Sequence, residues 1–136
     1  MLRVAARHAD IVGLLPAPIR GADDGDDPLD RQPAALDNKL AVLRSAAGDR
    51  FGQLELSAFG MFSITARRRS GTEELIARRG WGGMEPEDVW QMPTIFIGSV
   101  PQIREDLQAR RERFGLSYLV TSDRELPTFA AIIAGS

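Results

Sequence analysis

Few side chains in this sequence have the types and spacing that catalysis requires. The 136 residues contain no cysteine, so disulfides, thiolate metal sites and cysteine nucleophiles are excluded. The single histidine, His8, lacks the partners that a metal site would need. The sequence also has no glycine-rich nucleotide motif, no nucleophile elbow and no zinc-protease motif. It therefore predicts neither a catalytic residue nor a metal ligand.

Three other stretches carry charged or aromatic side chains that could bind a ligand. Arg67–Arg69 could bind a phosphate or a nucleic acid, but one basic run without interleaved aromatic residues is more typical of a solvated loop. The acidic stretch Asp23–Asp30 lacks the spacing and the closing glutamate of a calcium-binding loop. Trp81 lies in a glycine-flanked loop and could stack on a ring ligand, although we favour an anchor of the loop to the core.

The residues that directly follow the predicted strands are the best candidates for a ligand site. They are Leu15–Pro16, Gly60–Ser63 and Ser122–Arg124. In barrels and in open parallel sheets, ligands bind at the carboxyl ends of the strands. The alternative is that all three stretches are ordinary turns.

Helical and extended patterns alternate along the chain, which indicates a single α/β domain over residues 1–136 built from parallel βα units. Gly48 and Gly115 are placed to end helices, and Ser99 with Gln102 forms a capping-box pattern. We place Thr72 as the cap of the third helix. The predicted helices cover 2–9, 33–47, 72–79, 99–114 and 127–134, and the predicted strands cover 11–15, 54–62 and 116–121. Between the third and fourth helices the sequence predicts a linker, in which 87–90 could form one helical turn and 94–98 could be extended.

The composition is that of a globular protein, with 43% hydrophobic and 26% charged residues. The net charge of −2 gives no indication of a nucleic-acid partner. The apolar run after Asp10 is too short for a membrane span, and the charged N-terminus is unlike a signal peptide. We therefore expect a cytoplasmic protein that contacts neither membranes nor nucleic acids.

Two stretches of the sequence resemble the luciferase-like monooxygenases of bacteria. Met1–Leu14 resembles the segment that follows their glycine-rich phosphate loop, and Pro93–Leu107 resembles their late helix. Leu116–Ser122 then resembles the last barrel strand. The resemblance covers nearly the whole chain, and the acidic stretch and the Arg67 region are least alike.

The resemblance implies a (β/α)8 TIM barrel and a reduced FMN or deazaflavin cofactor, with the deazaflavin-type oxidoreductases as the nearest branch. It also implies a small organic substrate. In the family, a glycine-rich turn gives its N–H groups to the cofactor phosphate, so Met1 and Leu2 would be the cofactor-binding residues that this chain retains. A complete barrel takes about 250 residues, and this chain would supply the three to four C-terminal βα units.

Three hypotheses for the function follow from these observations. The first is that the chain is a truncated and inactive fragment of a flavin- or deazaflavin-dependent oxidoreductase. The second is a non-enzymatic half-barrel that associates with itself or with another chain. The third is a small α/β binding module with its own open sheet.

Overall fold

The computed structural model describes residues 2–14, 28–121 and 123–134, and within them helices and strands alternate as an α/β fold. The helices are α1 (Leu2–His8), α2 (Pro33–Ala47), α3 (Arg68–Arg79), α4 (Pro86–Trp90), α5 (Val100–Phe114) and α6 (Leu126–Ile133). The strands are β1 (Ile11–Leu14), β2 (Glu55–Phe59), β3 (Met61–Ile64), β4 (Ile95–Gly98) and β5 (Leu116–Val120).

The helix ends confirm most of the predicted capping signals. Ser99 and Gln102 form the predicted capping box at the start of α5, where each side chain bonds to the backbone of the other residue. Helices α2 and α5 end at Gly48 and Gly115, as the sequence predicts. The prediction for Thr72 is wrong, because α3 begins one turn earlier, at Arg68. Thr72 is instead inside the helix, where its hydroxyl donates to the carbonyl of Arg68 at 2.7 Å.

The second predicted strand is longer than expected and is divided at Gly60. Its two parts, β2 and β3, follow each other directly, and β3 continues to Ile64. A Cβ atom at Gly60 would lie only 2.8 Å from the ring of Phe62, so a larger residue would displace that ring. The packing of Phe62 therefore favours glycine at this position.

All strand pairs in the described residues are parallel, and the continuous β2–β3 segment is central. One sheet has the order β1-β2-β5, and β3 pairs with β4. The amide of Gly60 donates to Val120, whereas the amide of Met61 donates to Thr94, each at 2.8 Å. Successive amides of an extended strand point to opposite edges. Strands β4 and β5 therefore lie on opposite edges of the central segment.

This strand order differs from the partial TIM barrel that the resemblance implies. In such a barrel each strand lies between the strands that precede and follow it along the chain, so β4 would separate β3 from β5. Here β5 pairs directly with β2. The described strands form an open parallel arrangement, and the α/β class of the prediction is confirmed without the barrel order.

Three hydrophobic clusters hold the helices on the strands. The first joins β1, β2 and β5 to α1, α2 and the end of α5. The second lies under α3 and α4, around Trp81 and Met92. The third packs α5 and α6 on Phe62 and Phe96, whose rings stack with centroids 4.9 Å apart. Helices thus pack on both faces of the β3–β4 pair, and only Ser63 and Ile64 at the end of β3 are exposed among its strand residues.

One face of the β1-β2-β5 sheet carries exposed apolar side chains. Residues alternate between the faces of a strand, and in β1 and β2 every second residue is buried under the helices. On the other face Ile11, Phe59 and Val120 are 53%, 40% and 44% exposed. Parallel sheets are usually covered on both faces. We call the surface formed by these three side chains the open sheet face.

No helix in the described part of the chain is long and apolar enough to span a bilayer.

Candidate functional site

The structure describes only one of the two residues that the resemblance assigns to the cofactor. Met1 lies outside the described residues. Leu2 is the first residue of α1 and packs, half-buried, against the first hydrophobic cluster. The nearest basic side chains, Arg3 and Arg7, line a groove of about 470 Å³ between α1 and α2, together with Ser45.

The described residues around Leu2 do not by themselves fit a cofactor phosphate. Arg3 and Arg7 are both exposed, and they lie in the groove toward α2. Phosphate sites at helix starts need converging backbone amides, and this part of the described chain shows no buried polar cradle around Leu2. The assignment of Met1 and Leu2 to the cofactor site stays a prediction.

Two further sequence candidates, His8 and Trp81, lie in different surroundings. His8 is exposed at the end of α1. Trp81 is only 3% exposed and packs in the second cluster, which confirms that it anchors its loop to the core. Leu15–Pro16 and residues 23–27 of the acidic stretch lie outside the described residues, as does Ser122.

The expectation of a solvated loop is wrong for Arg68 and Arg69, which lie in α3, and of the two only Arg69 is exposed. Arg68 is half-buried, and its Nε donates to the carbonyl of Ile97 at 3.0 Å. A terminal nitrogen bonds to the carboxylate of Asp106 at 2.8 Å. The guanidinium also lies 4.6 Å from the centre of the Trp90 ring, within cation–π range. Arg68 thus connects α3 to β4, α4 and α5.

Burial shifts the ionisation of the two charged α5 residues in this network. It raises the pKa of Asp106, although Arg68 and Arg110 oppose the shift. Burial likewise lowers the pKa of Arg110, and Asp106 opposes that shift. Arg110 donates to the carbonyl of Trp90. These groups all bond to one another or to the backbone, so we assign the network a structural role.

The best candidate for a ligand site is a cleft of about 300 Å³ between the β3–β4 pair and α3. Five polar or charged side chains line it above an apolar floor that includes Met61, Ile95 and Ile97. We call it the carboxyl-end cleft, because it extends to the residues that follow β3 and β5. The five polar side chains are those of Ser63, Thr65, Glu74, Arg78 and Glu125.

The periodicity of β3 and α3 explains the positions of four of these side chains. Ser63 lies in β3, and Thr65 directly follows the strand. They are two residues apart in extended backbone, so their side chains point to the same face. The amide of Thr65 continues the pairing with β4, because it donates to the carbonyl of Gly98 at 2.8 Å. Glu74 and Arg78 are one turn apart on α3 and share a helix face.

The fifth polar side chain, Glu125, comes from the turn between β5 and α6. The hydroxyl of Thr121 donates to its carboxylate at 2.7 Å. This bond orients the Glu125 side chain at the wall of the cleft, which β3 and α3 line from the other side.

The cleft can bind a small polar molecule, but among its described lining residues no hydroxyl is hydrogen-bonded to a carboxylate, since Thr121, the partner of Glu125, lies outside the lining. Arg78 can pair with an anionic group, and the two glutamates can accept hydrogen bonds from hydroxyls. No group of three potential metal ligands occurs in residues 2–14, 28–121 and 123–134. The chemistry that these residues offer is recognition and orientation.

Sequence reasoning found one part of this cleft and missed the others. Three residues of the predicted stretch Gly60–Ser63 line the cleft: Ser63 as a polar side chain, and Met61 and Phe62 as part of the floor. Glu74, Arg78 and Glu125 were not singled out, because they belong to helices and turns that only the packing brings to β3. Asp123 and Arg124 are exposed outside the lining.

Comparisons with protein-family models, with curated proteins and with solved structures give no match for this chain.

Proposed function

We propose that this chain is part of a luciferase-like oxidoreductase that uses reduced FMN or a deazaflavin and acts on a small organic substrate in the cytoplasm. The observation that carries the proposal is that Thr65 and Glu125, which follow β3 and β5, line the carboxyl-end cleft. Enzymes built from parallel βα units bind their ligands at the carboxyl ends of the strands. The resemblance of residues 1–14, 93–107 and 116–122 supplies the family and its cofactors.

In this proposal the carboxyl-end cleft holds the substrate. Arg78 pairs with a carboxylate or phosphate of the substrate, and Glu125, oriented by Thr121, accepts a hydrogen bond from a substrate hydroxyl. The cofactor supplies the hydride chemistry when it is bound. Since the described residues do not form a phosphate site, the chain by itself should bind neither cofactor tightly and should be inactive.

The open sheet face supports the proposal that more βα units belong beside this chain. Its exposed Ile11, Phe59 and Val120 would be buried inside a complete barrel. Closing such a barrel requires β4 to move to the edge that β5 now occupies, opposite β1, and β5 to pair with β4 instead of β2. We propose that the additional strands drive this exchange.

The substrate role of the cleft can be tested in a protein that is extended upstream of Met1 by the genomic reading frame. Consumption of reduced cofactor is measured with small alcohols, aldehydes and hydroxy acids. We expect Arg78→Gln and Glu125→Gln to raise KM about tenfold, because each removes one charged hydrogen bond. Arg67→Gln, an exposed position outside the cleft, is the matched control. Wild-type KM values for both cleft variants would show that the substrate binds elsewhere.

A second candidate is a non-enzymatic module that associates with itself, and the open sheet face is the observation that favours it. Unpaired strand edges and uncovered apolar faces promote association with other chains. Sedimentation at tens of micromolar should then show dimers or larger species, and Phe59→Ser should shift the protein toward monomer. Ile64→Ser, at an equally exposed position outside the open sheet face, is the control. A stable wild-type monomer would contradict this candidate.

A further inference from the structure

A second recess lies between α5, β5 and α6, on the other side of the strands from the carboxyl-end cleft. It has a volume of about 460 Å³. Leu107, Leu119 and Phe129 form its floor and pack, partly buried, against the third hydrophobic cluster. Ile133, which is 49% exposed, forms part of the outer wall. We call this recess the α5–α6 groove.

Two arginines stand at the rim of this apolar groove. Arg104 and Arg111 are seven residues apart on α5, which places them on one side of the helix about 10 Å apart along its axis. The Nε of Arg104 donates to the carbonyl of Ile132 at 2.8 Å, so this side chain is held at the rim. Arg111 is exposed and forms no ion pair with the part of the chain that the structure describes.

The rim keeps an excess of positive charge. Gln108 lies between the two arginines and donates to the carboxylate of Glu112 at 2.7 Å. The residues that line the groove include two arginines and no carboxylate, and the carboxylates of Glu105 and Glu112 lie beside the lining on α5. An anion that enters the groove from the side of Arg111 meets a guanidinium that forms no ion pair with any described residue.

We propose that the α5–α6 groove binds an organic monoanion with an aromatic body, of the aryl carboxylate class. The volume is within the 300–1,000 Å³ range of small-molecule sites, which are mostly apolar with a few placed polar groups. The ring of such a ligand packs on Phe129 and the leucines. Its carboxylate pairs with Arg111, and Arg104 adds positive charge at the other end of the rim. The proposal is independent of the oxidoreductase function.

The probe for this site is 2-naphthoate, titrated into the protein by calorimetry. The neutral isostere 2-naphthalenemethanol tests the role of the charge. We expect saturable binding of one naphthoate per chain and about tenfold weaker binding of the alcohol, because the charged hydrogen bonds are lost. Equal affinity for the two compounds, or no saturable binding of naphthoate at millimolar concentration, would overturn the proposal.

Two pairs of variants locate the site. Arg111→Gln should weaken naphthoate binding about tenfold without loss of stability, since this guanidinium has no described protein partner. Arg67→Gln, an exposed position with the same change of charge, should leave the affinity unchanged. Ile133→Ser should weaken binding severalfold, whereas Ile64→Ser, at a similarly exposed position outside the groove, should have no effect. The same affinity in Arg111→Gln and Arg67→Gln would show that the anion binds elsewhere.

Discussion

At the scale of single residues, Thr72 has the most deeply buried polar side chain in the described chain. It is fully buried, it donates to the carbonyl of Arg68, and its oxygen accepts the indole N–H of Trp90 at 2.8 Å. Thr72→Val should lower the free energy of unfolding by about 1–2 kcal/mol, because it leaves the indole N–H without its partner. Urea unfolding measures the loss. In a Trp90→Phe background, Thr72→Val should lower the free energy of unfolding much less, because the indole N–H is absent. An equal loss in both backgrounds would refute the coupling between Thr72 and Trp90.

Asp106 should give the stability of the protein a pH dependence in the acidic range. Because burial raises its pKa, the folded protein holds this proton more tightly than the unfolded chain. The stability from this group is therefore present below the ordinary carboxyl pKa and is lost as the pH rises through the folded value. The difference in unfolding free energy between wild type and Asp106→Asn should fall over that interval. A difference that rises with pH would mean that the ion pair with Arg68 outweighs burial.

At the scale of helices and strands, local patterns predicted the elements better than their pairing. The capping box at Ser99 and the strand over 116–120 were predicted because the determining residues are neighbours in the chain. The start of α3 at Arg68 was not predicted, since it depends on a distant partner, Asp106. The order β1-β2-β5 was not predicted either, since it depends on pairing with residues as distant as Val120. The carboxyl-end cleft was missed for the same reason, because Glu74 and Glu125 meet β3 only after packing.

The end of β4 provides a test at this scale. Gly98 has φ of +146°, and a Cβ atom there would lie 2.5 Å from the Oε1 of Gln102, which is part of the capping box. Gly98→Ala should therefore destabilise the protein by about 1–3 kcal/mol through backbone strain and displacement of the cap. Gly52→Ala is the matched control, because open space surrounds that position. If Gly98→Ala and Gly52→Ala unfold at the same midpoint temperature, this explanation of the strand end is wrong.

At the scale of the whole molecule, the sheet is covered unevenly, and this has consequences for assembly. Helices pack on both faces of the β3–β4 pair, but Ile11, Phe59 and Val120 remain on the open sheet face. Additional βα units or a second copy would each bury these side chains. The oxidoreductase proposal requires the first arrangement and the self-association proposal requires the second, so the state of this face separates them.

The most direct test of the central claim is a cofactor titration of this chain beside the upstream-extended protein. FMN and a deazaflavin are added to each, and binding is followed by fluorescence. We predict that the extended protein binds one of them with a dissociation constant near micromolar, about −8 kcal/mol, and that this chain alone binds neither at that level. An extended protein that is folded and monomeric but binds neither cofactor would contradict the assignment to the luciferase-like oxidoreductases.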